Sequence, residues 1–151
     1  ESEPGKGSRV NIYFPVPEEL RTAEDIPQKS QPDSFVLVID NDENIQFIIK
    51  SILESYGYKV LQARSLVEAL GLSKANRKLD LIFFNSTSVM KEELLIFSYV
   101  QSNQPESRSL VLMNYGDVET KSALSGLNIT KILHPPFDQN ELVEVIIDTL
   151  K

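Results

Sequence analysis

Ser34-Phe-Val-Leu-Val-Ile-Asp40-Asn41-Asp42-Glu43 is an apolar, largely β-branched run that breaks off in a cluster of acids. A strand buried on both faces of a parallel sheet has this composition, and it delivers its polar end to the carboxyl edge of the sheet. Working outward, Leu79-Asp-Leu-Ile-Phe-Phe-Asn85 repeats the pattern with a polar residue at the same end. Ser109-Leu-Val-Leu-Met113-Asn114 is a third run, followed by Tyr115-Gly116-Asp117. Thr130-Lys-Ile-Leu-His134-Pro135-Pro136-Phe137-Asp138 is a fourth, stopped by prolines. These ends converge on one crevice.

The segments between the runs are helical. Ile45, Ile48, Ile49, Ile52 and Leu53 follow the i, i+3, i+4, i+7, i+8 pattern of one buried face. Ser65-x-x-Glu68 is a capping box opening a short second helix with Leu66, Ala69 and Leu70 inward, and Asp138-x-x-Glu141 opens the last helix similarly. Gly57 and Gly71 are placed at or near helix ends, where a left-handed residue is tolerated. Strands are predicted over 35–39, 58–62, 79–84, 109–114 and 130–133. Five alternating βα units with right-handed crossovers give an α/β fold, a doubly wound five-stranded parallel sheet flanked by helices.

Composition narrows the function. The 151 residues suffice for one core of ordinary size. A net charge of −7 with no basic stripe argues against nucleic acid or an anionic membrane as partner, and so for a protein. The chain has no cysteine, which excludes disulfides and thiolate metal sites and fits a cytoplasmic location. No signal peptide is visible, and no apolar stretch approaches the ~18 residues of a membrane span. His134 is the single histidine, a poor metal or acid–base candidate without a partner, and reads as a loop residue beside prolines. Gly5-Lys6-Gly7-Ser8 lacks the upstream glycine of a phosphate-binding loop and reads as a plain turn.

The four runs and their spacing resemble the receiver (response-regulator) domain of two-component signalling, with a CheY-like, flavodoxin-like fold. The resemblance covers Ser34 to Lys151 through "VLVIDND", "LDLIFF", "YGD" and "PPFDQNEL". It implies two acids after the first strand, a phosphoacceptor Asp after the third, a Thr or Ser after the fourth and a Lys before the final proline. Those positions read Asp40 and Asn41, then Asn85, Met113 and Pro135. Only Asp40 matches.

The losses act on separate parts of the chemistry. The Asn85 amide nitrogen has a delocalised lone pair and cannot replace a carboxylate oxygen attacking phosphorus. Mg²⁺ prefers charged oxygens, and a unit charge pair at about 4 Å is worth roughly 4 kcal/mol at an effective dielectric near 20, so amides at 41 and 85 leave Mg²⁺ binding weak or absent. Met113 offers no hydroxyl, and Pro135 no cation for a phosphoryl oxygen. The receiver's Pro-Gly after the phosphoacceptor is missing from Asn85-Ser-Thr-Ser-Val-Met90, and its aromatic switch position is Ile132. The resemblance is to a degenerate pseudo-receiver with no catalytic group. For Asp40, Asp42 and Glu43 two readings stay open: they cap the first helix, or Asp40 and Asp42 hold a cation weakly.

Glu1-Ser-Glu-Pro-Gly-Lys-Gly-Ser-Arg-Val-Asn-Ile-Tyr-Phe-Pro15 is similar to the last turn and strand of a histidine-kinase ATP-binding domain. Residues 1–16 are then the remnant of that domain, 17–33 a Pro-, Glu- and Ser-containing linker, and 34–151 the receiver-like domain. The order implies the C-terminal part of a hybrid sensor histidine kinase, whose parent chain is attached to a membrane or free. The expected partner is its own kinase core or another signalling protein, and the expected state a monomer or weak dimer. Alternatives are altered phosphoryl or Mg²⁺-dependent chemistry through Asp42 or a deamidated Asn85, or a small ligand in the crevice.

Overall fold

Val36 and Val38 pack into one apolar cluster and Leu37 and Ile39 into another, so the period of two residues along the first strand divides the core into two layers. A computed structural model of the chain describes residues 34–75, 78–88 and 91–150. The stretches read as kinase remnant and linker lie outside the described residues.

In chain order the elements are β1 (Phe35–Ile39), α1 (Glu43–Ser55), β2 (Lys59–Ala63), α2 (Leu66–Ser73), β3 (Leu81–Asn85), α3 (Leu94–Asn103), β4 (Arg108–Leu112), α4 (Val118–Leu124), β5 (Lys131–Leu133) and α5 (Gln139–Leu150). Short 3₁₀ turns at Ser86–Ser88 and Lys91–Glu93 join β3 to α3. All strand pairs are parallel and the sheet order is β2-β1-β3-β4-β5. This is the expected doubly wound sheet. Ile49, Ile52 and Leu53 of α1 and Leu142, Val143 and Ile146 of α5 cover one face. Leu66 and Ala69 of α2, Leu94 and Phe97 of α3 and Leu124 of α4 cover the other, where Phe84 stacks on Phe97 with ring centroids 4.9 Å apart. Each such fully buried side chain contributes about 1.5–3 kcal/mol.

The strand limits differ from expectation by a residue or two, for identifiable reasons. Gly57 (φ 89°) closes α1: its N–H donates to Glu54 O and the Tyr58 N–H to Leu53 O, a Schellman cap. That bond takes the Tyr58 amide out of the ladder, so β2 starts at Lys59. The Leu79 N–H goes to the Gln104 Oε1 at 3.0 Å and so leaves the ladder, and β3 runs from Leu81. Gly71 lies within α2, not at a left-handed terminus. The N-cap half of each box forms: Ser65 Oγ accepts the Glu68 N–H at 3.2 Å, and Asp138 Oδ1 accepts the Glu141 N–H at 2.8 Å. The Glu68 carboxylate reaches past Ser65 to the Arg64 N–H at 2.8 Å.

Candidate site at the carboxyl edge of the sheet

Asp40 follows β1 and Asn85 ends β3, and because these strands are neighbours the two side chains meet. Asn85 Nδ2 donates to Asp40 Oδ2 at 2.7 Å, with both residues buried. The other Asp40 oxygen, Oδ1, accepts the Asp42 N–H at 2.9 Å. The direction of the Asn85 amide is set by Thr87, whose N–H (3.0 Å) and Oγ–H (2.6 Å) both donate to Asn85 Oδ1. With its oxygen held there, the amide can turn only its NH₂ toward the carboxylate.

Burial raises the Asp40 carboxyl above its ordinary value of 3.8; the Asp42 N–H and the Asn85 amide oppose that rise, and the nearby Asp42 charge adds to it. Asn41, Asp42 and Glu43 are exposed. Asp42 is the N-cap of α1, its Oδ1 accepting the N–H groups of Asn44 (2.8 Å) and Ile45 (3.4 Å). Glu43 pairs with Arg64 at 2.6 Å on the rim. One carboxylate, that of Asp40, is therefore buried between the strand ends. Among the described residues no group of three or more His, Asp or Glu side chains is arranged to hold a metal ion, and no buried side-chain nitrogen or oxygen lacks a hydrogen-bond partner.

Met113 is buried with its thioether side chain in the α2–α3–α4 layer. Its carbonyl accepts a hydrogen bond from His134 Nδ1–H at 2.7 Å, which fixes the donor tautomer of that nitrogen. The His134 ring stacks on Tyr115, centroids 4.1 Å apart. Pro135 is half-buried and joined to Pro136 by a cis peptide bond. The structure thus gathers Asp40, Asn85, Met113 and Pro135 at one edge, and leaves Asn41 and Asp42 facing solvent.

Sequence reasoning missed the roles of Gln46, Ser86, Thr87 and the Tyr115–His134 pair. Gln46 is buried, and its Nε2 donates to the carbonyls of Asp40 and Ala63, both at 2.6 Å, tying α1 to the ends of β1 and β2. Its signal was present: Gln46 falls on the inward arc with Ile49 and Leu53. Ser86 Oγ donates to Leu112 O at 2.8 Å, bridging β3 and β4. Thr87 and the Tyr115–His134 stack carried no periodic signal, because they belong to loops.

The family profile described as Response regulator receiver domain matches residues 36–147. The chain belongs to the response regulator receiver family. This receiver is 27% identical over 123 residues to the transcriptional regulatory protein GlrR of Escherichia coli K12, a match covering 81% of the chain and 27% of GlrR. It is 25% identical over 129 residues to the photosynthetic apparatus regulatory protein RegA of Cereibacter sphaeroides, covering 83% of the chain and 67% of RegA. It spans only about a quarter of the length of GlrR. Among solved structures it is similar to a CheY-like receiver of Methanospirillum hungatei (TM-score 0.69, 22% identity, 78% of this chain and 93% of that one). A Burkholderia pseudomallei response regulator, solved with a phosphorylated aspartic acid, calcium ion and citrate, is 29% identical with TM-score 0.64, covering 79% and 67%. No helix of the described residues is long and apolar enough to cross a membrane.

Proposed function

We propose that this receiver is a pseudo-receiver: it keeps the fold of two-component signalling, takes no phosphoryl group, and acts by protein contact. The observation that carries the reading is the Asn85–Asp40 bond at 2.7 Å, with the amide held in place by Thr87. The phosphoacceptor position holds a neutral amide whose nitrogen neutralises no cation and attacks no phosphorus. Both Asp40 oxygens accept hydrogen bonds, and the second acid is replaced by an exposed Asn41, so the residues do not fit Mg²⁺. Buried Met113 and half-buried Pro135 remove the hydroxyl and the ammonium that would meet a phosphoryl group. Asp42 is committed to capping α1, which speaks against its serving as a substitute acceptor.

The "SEPGKGS" motif and the alternating Val10, Ile12 and Phe14 upstream support reading the chain as part of a hybrid sensor histidine kinase. There the domain would regulate its kinase or dock a partner on a surface held in one conformation. The test uses the parent kinase with labelled ATP, with and without residues 34–151. The reading expects a changed autophosphorylation rate on deletion and no acyl-phosphate label within 34–151. Label on that segment would overturn the pseudo-receiver reading, and an unchanged rate would move the contact from the kinase to an outside protein.

A further inference from the structure

The helix α3 reads Leu94-Leu-Ile-Phe-Ser-Tyr-Val-Gln-Ser-Asn103, ten residues without a charge. Leu94, Phe97 and Val100 face the core, while Leu95 and Tyr99, one turn apart on the outer face, are 71% and 64% exposed. A surface helix normally carries charge on that side, and one that is apolar on both sides is normally covered on both. The neighbouring α2 (Leu-Val-Glu-Ala-Leu-Gly-Leu-Ser) has a single charge, and its Val67 is 65% exposed.

These residues lie along one seam. Asn103 Nδ2 donates to Ser73 Oγ at 3.1 Å, which puts the Asn103 side of α3 against α2. Tyr99 and Ile96 are one and two turns earlier on that side. With Leu66, Ala69 and Ser73 on the sheet, the right-handed turn of α2 and the right-handed crossover direct Val67 and Leu70 toward α3. Partly buried Leu70 and Ile96 pack against the core cluster beneath. Gly71 is exposed on the same side of α2 as Val67, and a Cβ added there would meet nothing within 4 Å. A glycine within a helix is unfavourable by about 1 kcal/mol relative to alanine, and here it leaves the helix surface bare beside Val67. At the N-terminal ends of the two helices stand exposed Glu68, Glu92 and Glu93, with exposed Arg64 beside Glu68 and exposed Lys74 and Lys78 past the far end of α2.

We propose that the α2–α3 seam docks an amphipathic helix of a partner protein, its apolar stripe on Val67, Leu95 and Tyr99 and its flanks basic, with lysine or arginine over Glu68, Glu92 and Glu93. The apolar strip supplies the contact area, and the carboxylates select the charge of the rim. This deepens the reading of the domain as a contact module and names the surface and the chemistry of what it meets. It is read at Val67, Leu95 and Tyr99 and not at Asp40 and Asn85, so the two readings fail separately.

The test is an amide NMR titration of the isotope-labelled chain with a synthetic leucine/lysine amphipathic helix and its leucine/glutamate twin. The expected result is saturable shifts at Val67, Gly71, Leu95 and Tyr99 with the basic peptide. Leu95→Ser combined with Tyr99→Ser should weaken it at least about tenfold, as for central apolar anchors. Glu92→Lys should weaken it about twofold to fivefold, as for an exposed ion pair. Both sites are exposed, and an unchanged core spectrum verifies that the variants fold. Shifts centred on another face, or equal binding of the acidic twin, would overturn the proposal. So would shifts at the same residues on concentrating the protein alone, which would assign the seam to a second copy.

Discussion

The side chain at position 85 decides what the carboxyl edge can do, because it stands 2.7 Å from the buried Asp40. An amide there donates to the carboxylate, whereas an aspartate would set two like charges side by side. Asn85→Asp is therefore expected to destabilise the domain by about 1–3 kcal/mol near neutrality. The two carboxyls would titrate as a pair, so the loss should shrink in mild acid, as urea denaturation at the two conditions would show. In the native chain the sign is also fixed. The Asp40 carboxyl is raised from 3.8, so its contribution to stability is complete below 3.8 and is lost as pH rises through the higher folded value. A carboxyl-carbon NMR titration should place its midpoint above 3.8. The meeting of Asp40 with Asn85 was legible from two strand ends in one crevice. The orientation of the amide was not, because it depends on the Thr87 N–H, and a backbone donor in a turn leaves no mark on residue type.

At the scale of the elements, α1 is held to the sheet by more than its isoleucines. Gln46 donates to two carbonyls at the ends of β1 and β2. Gln46→Ala should cost about 2 kcal/mol, the sum of two buried hydrogen bonds, measured as a lower urea midpoint with unchanged slope. A cost near zero would mean that water takes over both carbonyls. Element type was legible wherever period and capping agreed: the unbroken apolar runs of β1 and β3, the isoleucine face of α1, and the Ser65 and Asp138 caps. Boundaries were displaced where a backbone amide was claimed from outside the strand, by the α1 cap at Tyr58 and by the Gln104 side chain at Leu79. Such claims are made between distant residues, so no local window contains them.

Over the whole molecule, right-handed crossovers between parallel strands allow more than one doubly wound order, and this sheet takes β2-β1-β3-β4-β5. The order brings Asp40 and Asn85 together, while the α2–α3 seam is built from other residues, so contact and chemistry can be probed separately. The central claim is that the frame is kept without its phosphoryl chemistry. The most direct measurement is an amide NMR titration of this chain with beryllofluoride, a phosphoryl mimic, in the presence of Mg²⁺. A pseudo-receiver shows no saturable shift at Asp40, Asn85 or Thr87, whereas saturable Mg²⁺-dependent shifts at those residues would mark a working phosphoryl site.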